Sequence, residues 1–161
     1  MTLNSSSAGV TTVRASTDVV VLGQTLHRET GDANAGDSAD AQKNWVDANI
    51  QISPLVATNE VGSPHTFTAH VNVNSGSGFV NAPAGTVVSF AKVSGPGSLS
   101  ASSCATVGAT GECSVTLSSS TPGVTVLNAS TAVSVGGLTL NRATGDAHVG
   151  DSANAQKTWV D

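Results

Sequence analysis

Hydrophobic and polar residues alternate along much of this chain in short runs of period two, and no useful stretch shows the period near 3.6 of a helix. Along 65–74, Phe67, Ala69, Val71 and Val73 share one face, while Thr66, Thr68, His70 and Asn72 share the other. That is the pattern of a strand with one side packed on a second sheet. Cys113, Val115 and Leu117 repeat it. The runs are separated by Ser75-Gly76-Ser77-Gly78, Pro83-Ala84-Gly85, Gly95-Pro96-Gly97, Gly108 to Gly111 and Gly136-Gly137, residues that accept positive φ or preset a turn. Strands are predicted near 50–58, 65–74, 85–93, 98–107, 111–119, 123–135, 138–142 and 153–160. Short strands at this spacing predict an all-β sandwich.

A repeat organises the chain. Residues 2–47 align with 116–161 at a constant offset of 114 without a gap, and 30 of the 46 aligned positions are identical. TGDANAGDSADAQKNWVD and TGDAHVGDSANAQKTWVD show it directly. The chain therefore reads as about 1.4 copies of a 114-residue unit, a segment of a tandem array. Residues 48–161 are expected to form a complete sandwich, and residues 1–47 to carry the last strands and linker of a preceding, incomplete unit. The first residues have neither the basic start nor the apolar stretch of a secretory signal. Either a signal has been removed or the chain is cut from a longer one, and the repeat favours the second.

The runs NEVGSPHTFTAHV, APAGTVVSFAKVSGPGSLS and TVGATGECSVTLSSSTPGVTVLNAS resemble the bacterial immunoglobulin-like repeats of group 1, the invasin and intimin type. A family strand of the form Gly-x-Ala-x-Val-x-Leu-Thr-Ser is matched by Gly111 to Ser119, and the following Ala-Gly-x-x-x-Val-x-Ala by Pro122 to Ala129. The resemblance covers about residues 50–161 and implies a Greek-key, immunoglobulin-like β-sandwich. It further implies a secreted or cell-surface array that extends an adhesive tip or binds a partner. The long 136–153 connection and the cysteine pair depart from the family pattern.

Composition narrows the function. With three Phe, two Trp, no Tyr and 17 Gly, the core must be built from small and β-branched side chains, which leaves little to line a large aromatic pocket. Only 11% of residues are charged and the net charge is −5, against the electrostatic grip that nucleic acid requires and against a polybasic membrane surface. The longest apolar run, Val19 to Leu22, is far short of the roughly 18 residues of a membrane helix.

Cys104 and Cys113 are the only cysteines. They fall on consecutive predicted strands joined by a glycine-containing turn, where a cross-strand disulfide fits an oxidising compartment; two buried free thiols are the alternative. Seven of the eleven acids lie in the two tails. Asp47, Asn49, Glu60, Asp146 and Asp151 supply the oxygen ligands calcium prefers and could clamp the junction around Asp47-Ala48-Asn49, with a solvated polar loop as the competing reading. The four histidines do not have zinc-site spacing.

No Gly-x-Ser-x-Gly elbow or recurring Ser–His–Asp set is present, and no enzyme activity is expected. Sandwich domains can carry intramolecular cross-links between first and last strands. The predicted first strand, Ile50 to Thr58, has no lysine, which counts against an amide, whereas Thr58 and Gln156 leave an ester open. Trp45 and Trp159 occupy equivalent sites, as binding hot spots or as the largest packing residues of an aliphatic sandwich.

The reading is a spacer or stalk repeat of an adhesin-like surface protein, touching adjacent repeats or copies of itself and, through an exposed loop, a host or cell-surface protein or glycan. A glycan- or protein-binding module is one alternative. Another is a fibre subunit in which residues 1–47 donate strands to a neighbouring chain.

Overall fold

The alternating runs become strands. The computed structural model describes residues 1–161 and is built from strands and turns without a helix. In the first copy these are β1 (Gly9–Val13), β2 (Ser16–Val21), β3 (Gln24–Glu29) and β4 (Ala41–Trp45). The second copy contributes β5 (Asp47–Ser53), β6 (Val56–Glu60), β7 (His65–Asn74), β8 (Phe79–Asn81), β9 (Val87–Ser94) and β10 (Ser98–Leu99). It continues with β11 (Ser103–Ala105), β12 (Glu112–Ser118), β13 (Gly123–Val135), β14 (Leu138–Ala143) and β15 (Ala155–Val160).

The second copy is a two-sheet sandwich. One sheet runs β10-β12-β7-β5 with β8 added to β7; the other runs β11-β9-β13-β15-β6 with β14 added to β13. This interleaving, with the opening strand divided between the sheets, is an immunoglobulin-like arrangement. Phe67, Ala69 and Val71 of β7 face Leu127, Ala129 and Val133 of β13 within one core that also holds Ile50, Leu117 and Trp159. Burying the Val, Leu, Ile and Phe side chains among these is worth roughly 1.5–3 kcal/mol each.

Two expected strands are each two. The run 50–58 breaks at Pro54, which has no N–H to give a ladder, so β5 pairs with β7 in one sheet and β6 pairs with β15 in the other. The run 98–107 likewise divides, β10 pairing with β12 and β11 with β9. The disulfide is formed: Cys104 on β11 joins Cys113 on β12 with Cα atoms 5.8 Å apart. Because β11 and β12 belong to different sheets, the bond ties the two layers together at one side.

The chain enters and leaves this sandwich at opposite poles. Asp47 opens β5 opposite Asn74, the last residue of β7. At the other end Val160 lies beside Glu60, its carbonyl accepting the N–H of Val61 at 2.8 Å. The N–H of Gly62 then meets the Ser119 carbonyl at 2.7 Å, near where Leu117 pairs with His65 at the start of β7.

The first copy reproduces part of one sheet. β1 pairs with β4 from Gly9↔Trp45, as β13 pairs with β15 from Gly123↔Trp159. β2 and β3 form the hairpin that β13 and β14 form in the second copy. The connecting loop also recurs, with Ala33 and Ala147 both at positive φ. No second sheet covers this piece. Val19 and Val21 are 44% and 47% exposed, against 4% and 5% for their counterparts Val133 and Val135.

Candidate functional site

The junction between the copies gathers charged side chains supplied by β5, β14 and the loop between β14 and β15. Asp47 accepts a hydrogen bond from its neighbour's backbone, Ala48 N–H, at 2.7 Å, and from Arg142 Nη2 at 2.6 Å. Arg142 Nε also donates to the Ala48 carbonyl at 2.7 Å. The guanidinium thus holds both the backbone and the side chain of the entering strand. His148 reaches Asp47 from the other side, with Nε2 3.5 Å from Oδ1.

The loop at 144–154 continues this attachment along the free edge of β5. Asp151 Oδ1 accepts the Ile50 N–H at 2.6 Å, and Ser152 Oγ accepts the Ile52 N–H at 3.0 Å. Ser152 N–H in turn donates to the Ile50 carbonyl at 3.0 Å. Edge-strand groups that would otherwise template pairing with another chain are thereby satisfied. The Asp151 side chain is fully buried, and burial pushes its carboxyl upward, against the lowering effect of the Ile50 N–H. Asp146 moves the other way, lowered chiefly by the His148 N–H it accepts.

Of the residues expected to share a calcium ion, Asp47, Asn49, Asp146 and Asp151 lie around the junction, with His148 between Asp47 and Asp151, and Glu60 does not. Glu60 ends β6 beside Val160 at the far pole, so the expectation that it reaches the junction is corrected: the sheet switch at Pro54 carries it away. Asn49 Oδ1 accepts from Asn72 Nδ2 at 3.0 Å, Asp146 takes the backbone N–H groups of Ala143 and His148, and Asp47 is occupied by Arg142. No three His, Cys, Asp or Glu side chains are grouped so as to hold a metal ion.

The tryptophans differ although their sequences match. Trp159 is 2% exposed and belongs to the core, which removes it as a surface hot spot. Its indole N–H donates to Thr125 Oγ1 at 3.0 Å, and Trp45 makes the equivalent bond to Thr11 at 2.9 Å. Trp45 is half-buried, in a hollow lined by Ser5, Ala8, Val46 and His148 at the junction. Thr58 and Gln156 both lie exposed on the outer side of the sandwich.

Three residues not singled out from sequence form a second cluster near the far pole. Lys157 on β15 is fully buried. Its Nζ donates to Asn59 Oδ1 on β6 at 2.8 Å and to the Thr158 carbonyl at 3.3 Å, and it lies 4.7 Å from the centre of the Trp159 ring. Burial, with no acidic partner, pushes this ammonium down. His65, on the same face of β7 as Phe67 and stacked edge-on against it, has its Nε2 buried without a hydrogen bond. Burial first, and the Lys157 charge second, lower its affinity for a proton. A signal is present in the sequence: Ala155, Lys157 and Trp159 alternate as one core-facing row.

None of the hydrogen bonds joins a Ser or Thr hydroxyl to a histidine; His27 pairs with Asp18 at 2.7 Å and His70 with Asn81 at 2.9 Å. No known family profile matches the chain, and no curated protein matches it. Among solved structures it is similar to the D00-D0 domain of intimin, at 24% identity over 84% of this chain and 62% of that one, with a TM-score of 0.44. It is also similar to the D0-D1 domain of intimin, at 18% identity over 94% of this chain and 83% of that one, with a TM-score of 0.41. The chain therefore spans less than two thirds of the first of these structures.

Proposed function

We propose that the chain is a stalk or spacer segment of a secreted or cell-surface adhesin-like protein. The observation that carries this reading is the placement of Asp47 and Val160 at opposite poles of the sandwich. Successive units joined in this way add length instead of folding back. The Arg142 clamp on Asp47 and Ala48 supports it by limiting the swing of one unit on the next. The Cys104–Cys113 disulfide fits an oxidising, extracellular setting.

Small-angle scattering tests the reading. A compact chain of 161 residues has a radius of gyration of about 15 Å. β13 alone, with 13 residues, spans roughly 43 Å at about 3.3 Å per residue. Two copies placed end to end should therefore exceed roughly 20 Å in radius of gyration. A value at the compact figure would show the copies folded back on each other and would remove the spacer reading.

A second reading, association between copies of the chain, is favoured by the uncovered face of residues 9–45, where Val19, Val21 and Leu26 are exposed. Light scattering against concentration checks it: mass that rises with concentration supports association, and a constant monomer mass excludes it.

A further inference from the structure

The amide cross-link that the first strand disfavours for want of a lysine has its two partners in reversed positions. The lysine is on the last strand, β15, and the carboxamide is on the opening strand, β6, directly alongside it. Lys157 Nζ stands 2.8 Å from Asn59 Oδ1, and no carboxylate neutralises it. We propose that Lys157 and Asn59 form an intramolecular isopeptide bond across the β6–β15 pair.

The step balances without an added reactant. The neutral Lys157 amine attacks Cγ of Asn59, forming the C–N bond of a secondary amide. The C–N bond to the Asn59 Nδ2 group breaks, and that nitrogen leaves as ammonia, carrying a proton that originates on Nζ. No oxidant or reductant enters.

Three features of the site favour the reaction. Burial disfavours the charged form of Lys157 and so pushes it toward the neutral, nucleophilic amine. Alignment on adjacent strands replaces a bimolecular encounter by a fixed approach. Asn59 is only half-buried and β6 is the edge of its sheet, so ammonia has a route to solvent. His65 on the facing sheet, with its Nε2 buried and unpartnered and close enough to feel the Lys157 charge, is assigned the role of relaying the proton from Nζ to the departing nitrogen.

Mass spectrometry of the whole chain tests this. The chain is denatured, reduced and alkylated after folding for increasing times, then digested with trypsin. The expected result is loss of the mass of one ammonia from folded chain only, together with a branched peptide joining the segment that contains Asn59 to the segment that contains Lys157, uncut at Lys157. The branched peptide is decisive, because cyclisation of an asparagine on its own backbone also expels ammonia but links no second segment. Lys157→Met and Asn59→Ala should each abolish the branched product, and His65→Gln should slow its appearance several-fold. Wild-type chain that keeps its full mass and remains cleavable at Lys157 after prolonged folding overturns the proposal, however the variants fold. A branched product whose rate is unchanged in His65→Gln removes the imidazole from the mechanism.

Discussion

Removing the Cys104–Cys113 bond by a double change, Cys104→Ala with Cys113→Ala, isolates what a short covalent loop contributes to a sandwich with few aromatic side chains. The two cysteines are nine residues apart. Loop-closure entropy for about nine residues is ~8.7 cal/mol/K, or about 2.6 kcal/mol at room temperature. A unit of 114 residues unfolds with an entropy of roughly 0.24 kcal/mol/K, so the midpoint should fall by about 10 °C. The bond also joins strands of different sheets, so its loss should loosen the edge at β10 and β11 before the rest. Thermal unfolding followed by circular dichroism gives the midpoint, and urea unfolding gives the slope, which should steepen as the unfolded chain expands. A drop below roughly 3 °C, with an unchanged urea slope, would refute the argument that the bond acts by restraining the unfolded chain.

Trp159→Ala should cost about 3–5 kcal/mol in urea unfolding, whereas Trp45→Ala should cost less than about 1 kcal/mol; equal costs would mean that residues 9–45 are covered in solution. Because burial raises the Asp151 carboxyl in the folded state, its contribution favours folding below the ordinary carboxyl range and is lost as pH rises through the raised value. Asp151→Asn keeps an oxygen for the Ile50 N–H and carries no charge. Its stability relative to wild type should therefore rise from acid to neutral pH, and a flat difference across that range would contradict the shift. Arg142→Ala leaves the Ala48 carbonyl and Asp47 without their shared donor. Limited proteolysis should cut faster near 46–48, at a stability cost of about 1–3 kcal/mol, and an unchanged cutting rate would show that the clamp does not hold the junction.

The sandwich is legible in the sequence wherever one side of a strand meets the core and the other meets water. β7, β12 and β13 are of that kind: the buried side of β7 holds Phe67, Ala69 and Val71 as the alternation predicts. Alternation carries no information about which sheet a strand joins, so β5 and β6 read as one strand although Pro54 marks their boundary. β8, with three residues, is too short to alternate. At the junction, the acids are visible in sequence but their cation is not. Arg142 lies 95 residues from Asp47, and only the folded β14 brings it there. Lys157 is easily missed because a lysine reads as solvated, although its place between Ala155 and Trp159 puts it on the core row. One paired exchange is hidden for the same reason. Asn128 and Asn154 bond in the second copy where Arg14 and Asp40 form an ion pair in the first, and the link shows only when both sites are seen together.

The pairing of β6 with β15 is parallel and joins the opening strand of the sandwich to its closing one. If the unit is pulled by its two ends, tension draws β6 toward one pole and β15 toward the other, along their own lengths. The five residue pairs from Gln156↔Val56 to Val160↔Glu60 are then loaded in shear, all at once, because ladder hydrogen bonds run across the strands. An antiparallel hairpin pulled from its open end parts one bond at a time. Until a Lys157–Asn59 bond closes across it, this seam should yield under tension at a higher force than the hairpin of β2 and β3, and the rate at which it gives way sets how long a stretched unit stays folded.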